Sequence, residues 1–113
     1  MTITYLDVET TFVVDENRRT DPSPFNANNK LVSVQHSHDN GPIQFNWFYH
    51  KDMDEMESEM TVGESFNLVQ DVLDKTTVLI GHNIKFDLIW LWESGFNYNG
   101  QVYDTMIGEY TLM

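Results

Sequence analysis

The order of strand-like and helix-like patterns is the feature that most constrains how this chain can fold. Short runs rich in β-branched and aromatic residues predict strands, and apolar residues at helical spacing predict helices. Three strands come first, at residues 3–8, 31–36 and 43–49, followed by a helix at 64–75, a strand at 77–80, a helix at 86–93, a strand at 101–103 and the start of a helix at 104–113. Residues 15–30 are predicted to form a loop, Asn40-Gly41 predicts a tight turn, and Gly95 is expected to cap the second helix.

This order predicts an α/β fold. Three antiparallel strands followed by right-handed crossovers give a mixed sheet, in which two parallel strands extend a three-stranded meander and helices cover both faces. In this arrangement the fourth strand lies parallel to the first and next to it. A chain of 113 residues is long enough for one domain with one core.

Composition excludes several classes of protein. The net charge of −12, from 18 acidic and 6 basic residues, argues against a free-standing basic DNA-binding protein. The absence of cysteine excludes disulfides, thiolate metal sites and a Cys nucleophile. No apolar run is long enough to span a bilayer and the N-terminus lacks a secretory pattern, so we expect a cytoplasmic protein without a membrane partner. The acid-rich stretch 52–64 is expected to be a solvated linker or helix face.

Two groups of carboxylates could carry chemistry. Asp7 and Glu9 are two residues apart on the first strand, so their side chains project to the same face. Asp87 falls in the first turn of a helix, beside the carboxyl end of a strand, where open α/β sheets place their sites. Adjacent acids repel each other, and Mg²⁺ or Mn²⁺ would remove that repulsion. Taken singly, Asp7 and Glu9 could be solvated acids, Asp87 could complement a helix dipole, and Asn83 could cap that helix.

Taken together, these segments resemble a known family. Residues 6–10, Leu-Asp-Val-Glu-Thr, and residues 81–91, Gly-His-Asn-Ile-Lys-Phe-Asp-Leu-Ile-Trp-Leu, resemble the first two motifs of the DEDD 3′–5′ exonucleases. The chain looks most like the proofreading domain of family A, DNA polymerase I-like enzymes, especially those of bacteriophages. Residues 102–107 resemble the segment that follows the second motif. The ribonuclease H-like fold of that family agrees with the strand order that the patterns predict.

The resemblance implies two-metal hydrolysis of the 3′-terminal phosphodiester of single-stranded DNA. Asp7 would bridge two Mg²⁺ or Mn²⁺ ions, Glu9 would ligate one of them, and Asp87 would hold the second. Thr10 and Asn83 would contact the terminal nucleotide. The implied partners are the 3′ end of a DNA strand and the polymerase domain of the same chain, and a phage-encoded protein would act in the host cytoplasm.

The third motif of the family is missing from the sequence. It contains an Asp preceded by a Tyr four residues earlier or a His five residues earlier, and no Tyr here has an Asp at that distance. His82 and Asp87 have the His spacing, but both belong to the second motif. Asp104 is better explained as the first residue of a helix. We therefore expect residues 1–113 to be a partial exonuclease domain, an N-terminal fragment that is incomplete at its C-terminus and weakly active or inactive alone.

Two other functions stay open. An acidic protein that mimics DNA would occupy the basic groove of a partner, and the net charge favours that reading. The other alternative is a non-catalytic module, or a structural remnant that folds but neither catalyses a reaction nor binds metal ions. Dependence of binding on Asp7 and Glu9, and binding of Mn²⁺, would separate both from a nuclease.

Overall fold

The computed structural model of this chain describes residues 1–14, 16–25, 29–49 and 55–112. Its elements in chain order are β1 (Ile3–Thr10), β2 (Val13–Val14), β3 (Thr20–Asp21), β4 (Leu31–His38), β5 (Gln44–Trp47), α1 (Glu55–Lys75), β6 (Val78–Gly81), α2 (Ile84–Glu93), β7 (Gln101–Asp104) and β8 (Glu109–Leu112). Six strands form one sheet in the order β5-β4-β1-β6-β7-β8, and β2 pairs with β3. The predicted mixed α/β sheet is confirmed, and it is consistent with a ribonuclease H-like fold.

The strand β1 lies inside the sheet, between an antiparallel and a parallel neighbour. It pairs with β4 along its length and with β6 from Ile3–Val78 to Tyr5–Ile80. The predicted parallel contact between the first strand and the strand before the second motif is therefore confirmed. Because pairing with β6 stops at Tyr5, the later residues of β1 extend past the end of β6. They lie beside the segment in which the chain turns from β6 into α2.

One hydrophobic core packs on a single face of the sheet. The register places Val8 opposite Val34 on adjacent strands, and both helices contribute to the same cluster of buried side chains. The buried helix residues of this cluster are Val69, Leu73, Ile84, Leu88, Trp90 and Leu91. The sequence predicts helices on both faces, but α1 and α2 cover the same one. The strands β5, β6 and β7 run parallel, and the connections from β5 to β6 and from β6 to β7 both move toward the same edge of the sheet. Because both connections are right-handed crossovers in the same direction, α1 and α2 lie on the same side of the sheet.

The second helix ends as predicted at Gly95. This residue has φ +97°, and its N–H donates to the Trp92 carbonyl at 3.0 Å, while the Phe96 N–H donates to the Leu91 carbonyl at 2.9 Å. This pair of hydrogen bonds is a Schellman motif. It turns the chain so that Phe96 stacks on Phe66, with ring centroids 4.4 Å apart.

The predicted C-terminal helix at residues 104–113 is wrong, because β8 occupies that part of the chain. The Asp104 side chain accepts the Met106 N–H at 2.9 Å, and the Gly108 N–H donates to the Asp104 carbonyl at 2.7 Å. Gly108 has φ +63°, a left-handed conformation that a helix interior does not contain. These contacts form a tight turn, so the chain returns antiparallel to β7.

The predicted turn after β4 is present. It is centred on Asp39 and Asn40, both with positive φ, and the N–H of Gly41, its last residue, donates to the His38 carbonyl at 2.9 Å. Two smaller elements differ from the prediction. Residues 15–30 include the short strand β3. The first helix begins at Glu55 rather than at residue 64, and residues 52–54 of the acid-rich stretch lie outside the described residues.

His36 and His38 share a face of β4, and their rings stack with centroids 5.7 Å apart. His36 is buried. Its exposed fraction is 3%, and its Nε2 lies 2.8 Å from Asn46 Oδ1. Burial and the neighbouring His38 lower the pKa of His36, against the opposing effect of the Asn46 hydrogen bond. The alternation of β4 places His36 on the core side, opposite Leu6.

None of the helices in the described residues combines the length and the apolar character needed to cross a membrane.

Candidate active site

The acids of the first motif lie on the exposed side of β1. Asp7 and Glu9 alternate with the buried residues Leu6 and Val8, so both acids project to one face, as predicted, and that face is opposite the core. Pairing with β4 shifts register between Glu9 and Thr10, where β1 leaves the regular ladder. The acids therefore lie near the end of a central strand, next to the edge at which β6 has stopped.

The second motif is a sharp connection from β6 to α2. The residue that ends β6, Gly81, allows this approach, because a Cβ there would lie 2.9 Å from the Leu6 carbonyl oxygen and 2.6 Å from Ile84 Cδ1. Asn83 follows with φ 57° and ψ 49°, a left-handed conformation that Asn tolerates better than most residues. This connection starts α2 immediately beside β1. It places Asp87 in the first turn of the helix.

Asp87 is buried and electrostatically strained. Its exposed fraction is 3%, and its Oδ2 is buried without a hydrogen-bond partner among the described residues. Burial, followed by repulsion from Asp7, Asp104 and Glu9, raises the pKa of Asp87 to about 8. These repulsions indicate that the acids of the two motifs lie near one another in the fold, although they are far apart in the sequence. The carboxyl group is thus mostly protonated at neutral pH unless a positive charge compensates its neighbours.

Asp104 is a fourth acid near this group, although its position in the sequence predicted only a role in starting a helix. It is buried at the end of β7, and its Oδ1 accepts the backbone N–H groups of Asn83 and Met106, each at 2.9 Å. Asp104 therefore fixes the turn of the second motif and also raises the pKa of Asp87. The strand order predicts that Asp104 lies close to the second motif, because β6 and β7 are parallel neighbours whose carboxyl ends lie at the same edge of the sheet.

The two residues expected to contact a nucleotide lie at the ends of the same two segments. Thr10 is the last residue of β1 and is half-buried. The exposed Asn83 occupies the N-cap position of α2, but its side chain makes no capping hydrogen bond within the described residues. The capping hydrogen bond considered for Asn83 is therefore not seen among the described residues.

The donor set of this site suits a hard divalent cation. Carboxylate oxygens are the ligands that Mg²⁺ and Mn²⁺ prefer, and the buried Oδ2 of Asp87 lacks a hydrogen-bond donor in the described chain. In the part of the chain that the structure describes, no three His, Asp or Glu side chains lie close enough together to hold a metal ion. Ligation by all three acids would therefore require rotation of Asp7 or Glu9, whose exposed side chains have room to move.

Comparison with known proteins supports the fold. No protein-family model matches the sequence, and no curated protein matches it. Among solved structures, the family B DNA polymerase from the hyperthermophilic archaeon Pyrobaculum calidifontis is similar, with a TM-score of 0.55 and 18% sequence identity. The match covers 99% of this chain and 14% of that polymerase. The chain therefore has the fold of one segment of a DNA polymerase, and that polymerase is of family B rather than the family A type that the motifs resemble.

Proposed function

We propose that this chain is part of the 3′–5′ exonuclease domain of a family A, phage-type DNA polymerase, without the third motif. Its reaction would be hydrolysis of the 3′-terminal phosphodiester of single-stranded DNA with two Mg²⁺ or Mn²⁺ ions. The observation that carries this proposal is the burial of the Asp87 carboxyl, whose Oδ2 has no hydrogen-bond partner among the described residues. Burial and then the charges of Asp7, Asp104 and Glu9 raise its pKa. Acids that repel each other across two distant motifs are unfavourable in a folded protein unless a cation compensates them.

The position of the acids in the fold also supports the proposal. They lie where a parallel strand ends and a helix begins, which is the general location of sites in open α/β sheets. The similar solved structure is a family B DNA polymerase, and nearly the whole length of this chain aligns with part of it.

Each acid has a distinct task in this reaction. Asp7 would bridge the two ions, Glu9 would ligate one of them, and Asp87 would hold the second after losing its proton. When bound, two divalent ions activate a water molecule and stabilise charge on the attacking and leaving oxygens. Thr10 and Asn83 would hold the terminal nucleotide beside the acids, so that its phosphate is presented in one orientation.

The strongly negative chain must still accept a negative substrate. The net charge is −12, so DNA approaching the site alone would be repelled. Divalent ions would neutralise the charge at the acids, and the polymerase domain of the same protein would supply a basic surface for the rest of the strand. Binding of DNA to this chain should therefore depend steeply on the divalent ion.

The experiment that tests this proposal measures the anisotropy of a labelled single strand with a free 3′ hydroxyl. We expect binding in Mn²⁺, loss of binding in chelator, and at least a tenfold weakening by Asp7→Asn. Asp71→Asn, which removes the same charge from an exposed position of α1, should bind like the wild type. DNA binding that depends neither on Mn²⁺ nor on Asp7 would refute the proposal. It would also be refuted if this chain bound a basic DNA-binding protein tightly and salt-sensitively, and if Asp7→Asn left that binding unchanged.

A further inference from the structure

Two stacked histidine rings lie on the core side of β4, on the face of the sheet opposite the acids of the first motif. His36 lies opposite Leu6 of β1, and His38 lies opposite Thr4. The two rings are nearly parallel, with an angle of 14° between their planes. Rings this close repel each other when both carry a positive charge. The arrangement is therefore suited to neutral imidazoles.

The hydrogen bond of His36 determines which of its ring nitrogens carries the proton. Its Nε2 lies 2.8 Å from the Asn46 Oδ1 on β5, and an amide oxygen only accepts, so Nε2 donates. The Nδ1 of the neutral ring then carries a lone pair. This Nδ1 is buried without a hydrogen-bond partner among the described residues, and so is the Nδ1 of His38. A proton added to the Nδ1 of His36 would create a buried, charged N–H group that has no acceptor there.

The strands on either side of His36 place no ionisable side chain opposite it. Leu6 of β1 and Gln44 of β5 are its partners in the two ladders, and neither side chain titrates. Burial is the main cause that lowers the pKa of His36, and the neighbouring His38 acts in the same direction. The hydrogen bond from Asn46 offsets these effects only in part.

A hollow of about 380 Å³ lies beside His38, between the start of β1 and α1. The ionisable side chains that line it are His38, Asp39, Asp71 and Lys75. The Asp39 Oδ1 accepts the Ile3 N–H at 3.1 Å, and the α1 residues Asp71 and Lys75 are exposed. His36 is not one of the described residues that line the hollow. The charged groups of α1 and of the turn after β4 therefore face His38 rather than His36.

The strand that bonds to His36 is the part of the sheet that detaches most easily. β5 has four residues and lies at one edge of the sheet, next to β4. Two of its side chains, Phe45 and Trp47, are 57% and 44% exposed, so they anchor it weakly. Outside the ladder, β5 is held by the His36–Asn46 hydrogen bond and by Ser65 Oγ of α1, which donates to the Trp47 carbonyl at 2.7 Å. Local opening has its lowest free energy in such segments.

We propose that the His36–His38 pair is an acid-sensitive switch that releases β5 from β4. Protonated His36 cannot be accommodated in place, because its Nδ1–H would be buried without an acceptor, so β5 opens and water reaches the ring. The open chain binds the proton at the ordinary pKa of 6.5, and the closed chain binds it only at lower pH. The stability of the β4–β5 ladder is therefore complete above pH 6.5 and is lost as pH falls below that value. This switch does not depend on the proposed nuclease function.

Amide hydrogen exchange of the whole chain, followed by NMR from pH 7 to 5 and corrected for intrinsic exchange rates, tests the proposal. The reporter is the amide of Asn46, which pairs with Val34 in the ladder. We expect its protection to fall by up to about tenfold per pH unit below 6.5. The amide of Gln101 in β7 should not lose protection. His36→Gln retains an N–H group for Asn46 but does not titrate, so it should remove most of the fall, whereas His82→Gln removes an exposed histidine and should leave the fall unchanged.

Three results would overturn the switch. They are constant protection of the Asn46 amide from pH 7 to 5, an equal fall in His36→Gln, and a parallel loss of protection at Gln101, which would show unfolding of the whole sheet. If His36→Gln does not fold, the ring chemical shifts of His36 in the wild type provide a second measurement. We expect them to titrate over the pH range in which Asn46 loses protection, and titration over a separate range would also overturn the switch.

Discussion

Asp87 on α2 lies close enough to Asp7 on β1 for the charge of Asp7 to raise the pKa of Asp87, although 79 residues separate them in the chain. Burial contributes most to that shift, and the two causes act in the same direction. The pair joins the central strand to the start of a helix, so the fold keeps an acid in an environment that disfavours its charge. Such an environment is typical of functional sites.

Stability without divalent ions should fall as pH rises. The pKa of Asp87 increases from 3.8 to about 8 on folding, so between these values the folded state retains a proton that the unfolded chain has lost. The free energy of unfolding then decreases with pH, by at most about 1.4 kcal/mol per unit for this group. Urea unfolding in chelator between pH 5 and 8 measures the slope. Asp87→Asn should flatten it, and an identical slope in the variant would contradict the assignment.

Asp104 should have separable structural and electrostatic effects. Asp104→Ala removes the acceptor of the Asn83 and Met106 N–H groups and should cost about 1–3 kcal/mol of stability. Asp104→Asn keeps an acceptor oxygen but removes the charge, so it should lower the pKa of Asp87 and cost less stability. Urea unfolding and carboxyl NMR titration measure the two effects. An unchanged pKa of Asp87 in Asp104→Asn would show that the charge of Asp104 does not reach it.

Two glycines should respond to alanine in opposite directions. Gly95 has φ +97° at the end of α2, so Gly95→Ala forces a side chain into the left-handed region at a cost of about 1–2 kcal/mol. Gly63 lies inside α1, and an added Cβ there meets nothing within 4 Å in the described structure. Gly63→Ala should therefore stabilise the protein by about 0.5–1 kcal/mol. Thermal unfolding measures both, and shifts of the same sign would contradict the placement of Gly63 inside one helix and Gly95 at the end of the other.

Hydrolysis by these 113 residues alone should be slow or undetectable. The sequence contains the acids of two motifs and lacks the Tyr-x-x-x-Asp pattern, so one of the metal-ligand positions has no assigned residue. A poorly held ion leaves the attacking water poorly positioned. A single strand labelled at its 5′ end, incubated with Mg²⁺ or Mn²⁺, measures shortening from the 3′ end. Rapid turnover that Asp7→Ala abolishes would show that the site is complete without a third motif.

Sequence patterns predicted the central part of the fold well. The strand pattern at residues 3–8, the buried strand before Gly81 and the following helix all appear, with β1 and β6 parallel neighbours. These elements combine strong periodicity with clear end signals, so local chemistry determines them. The shared face of Asp7 and Glu9 follows from the same alternation.

Other features depend on contacts that a local pattern does not contain. The turn at Gly108 forms because Asp104 accepts backbone N–H groups from two segments, and only one of these is nearby in sequence. The burial of His36 depends on its place on the core side of β4. The placement of both helices on one face has a different origin. It follows from the direction of the crossovers, and the predicted strand order was enough to derive it.

Calorimetric titration with Mn²⁺ tests most directly whether the acids of the two motifs form one metal site. We expect the wild type to bind Mn²⁺, with proton release when Asp87 ionises, and we expect Asp7→Asn, Glu9→Gln and Asp87→Asn each to weaken binding at least tenfold. Asp71→Asn should bind as the wild type does. Absence of Mn²⁺ binding, or binding that survives Asp7→Asn and Asp87→Asn unchanged, would contradict a shared metal site.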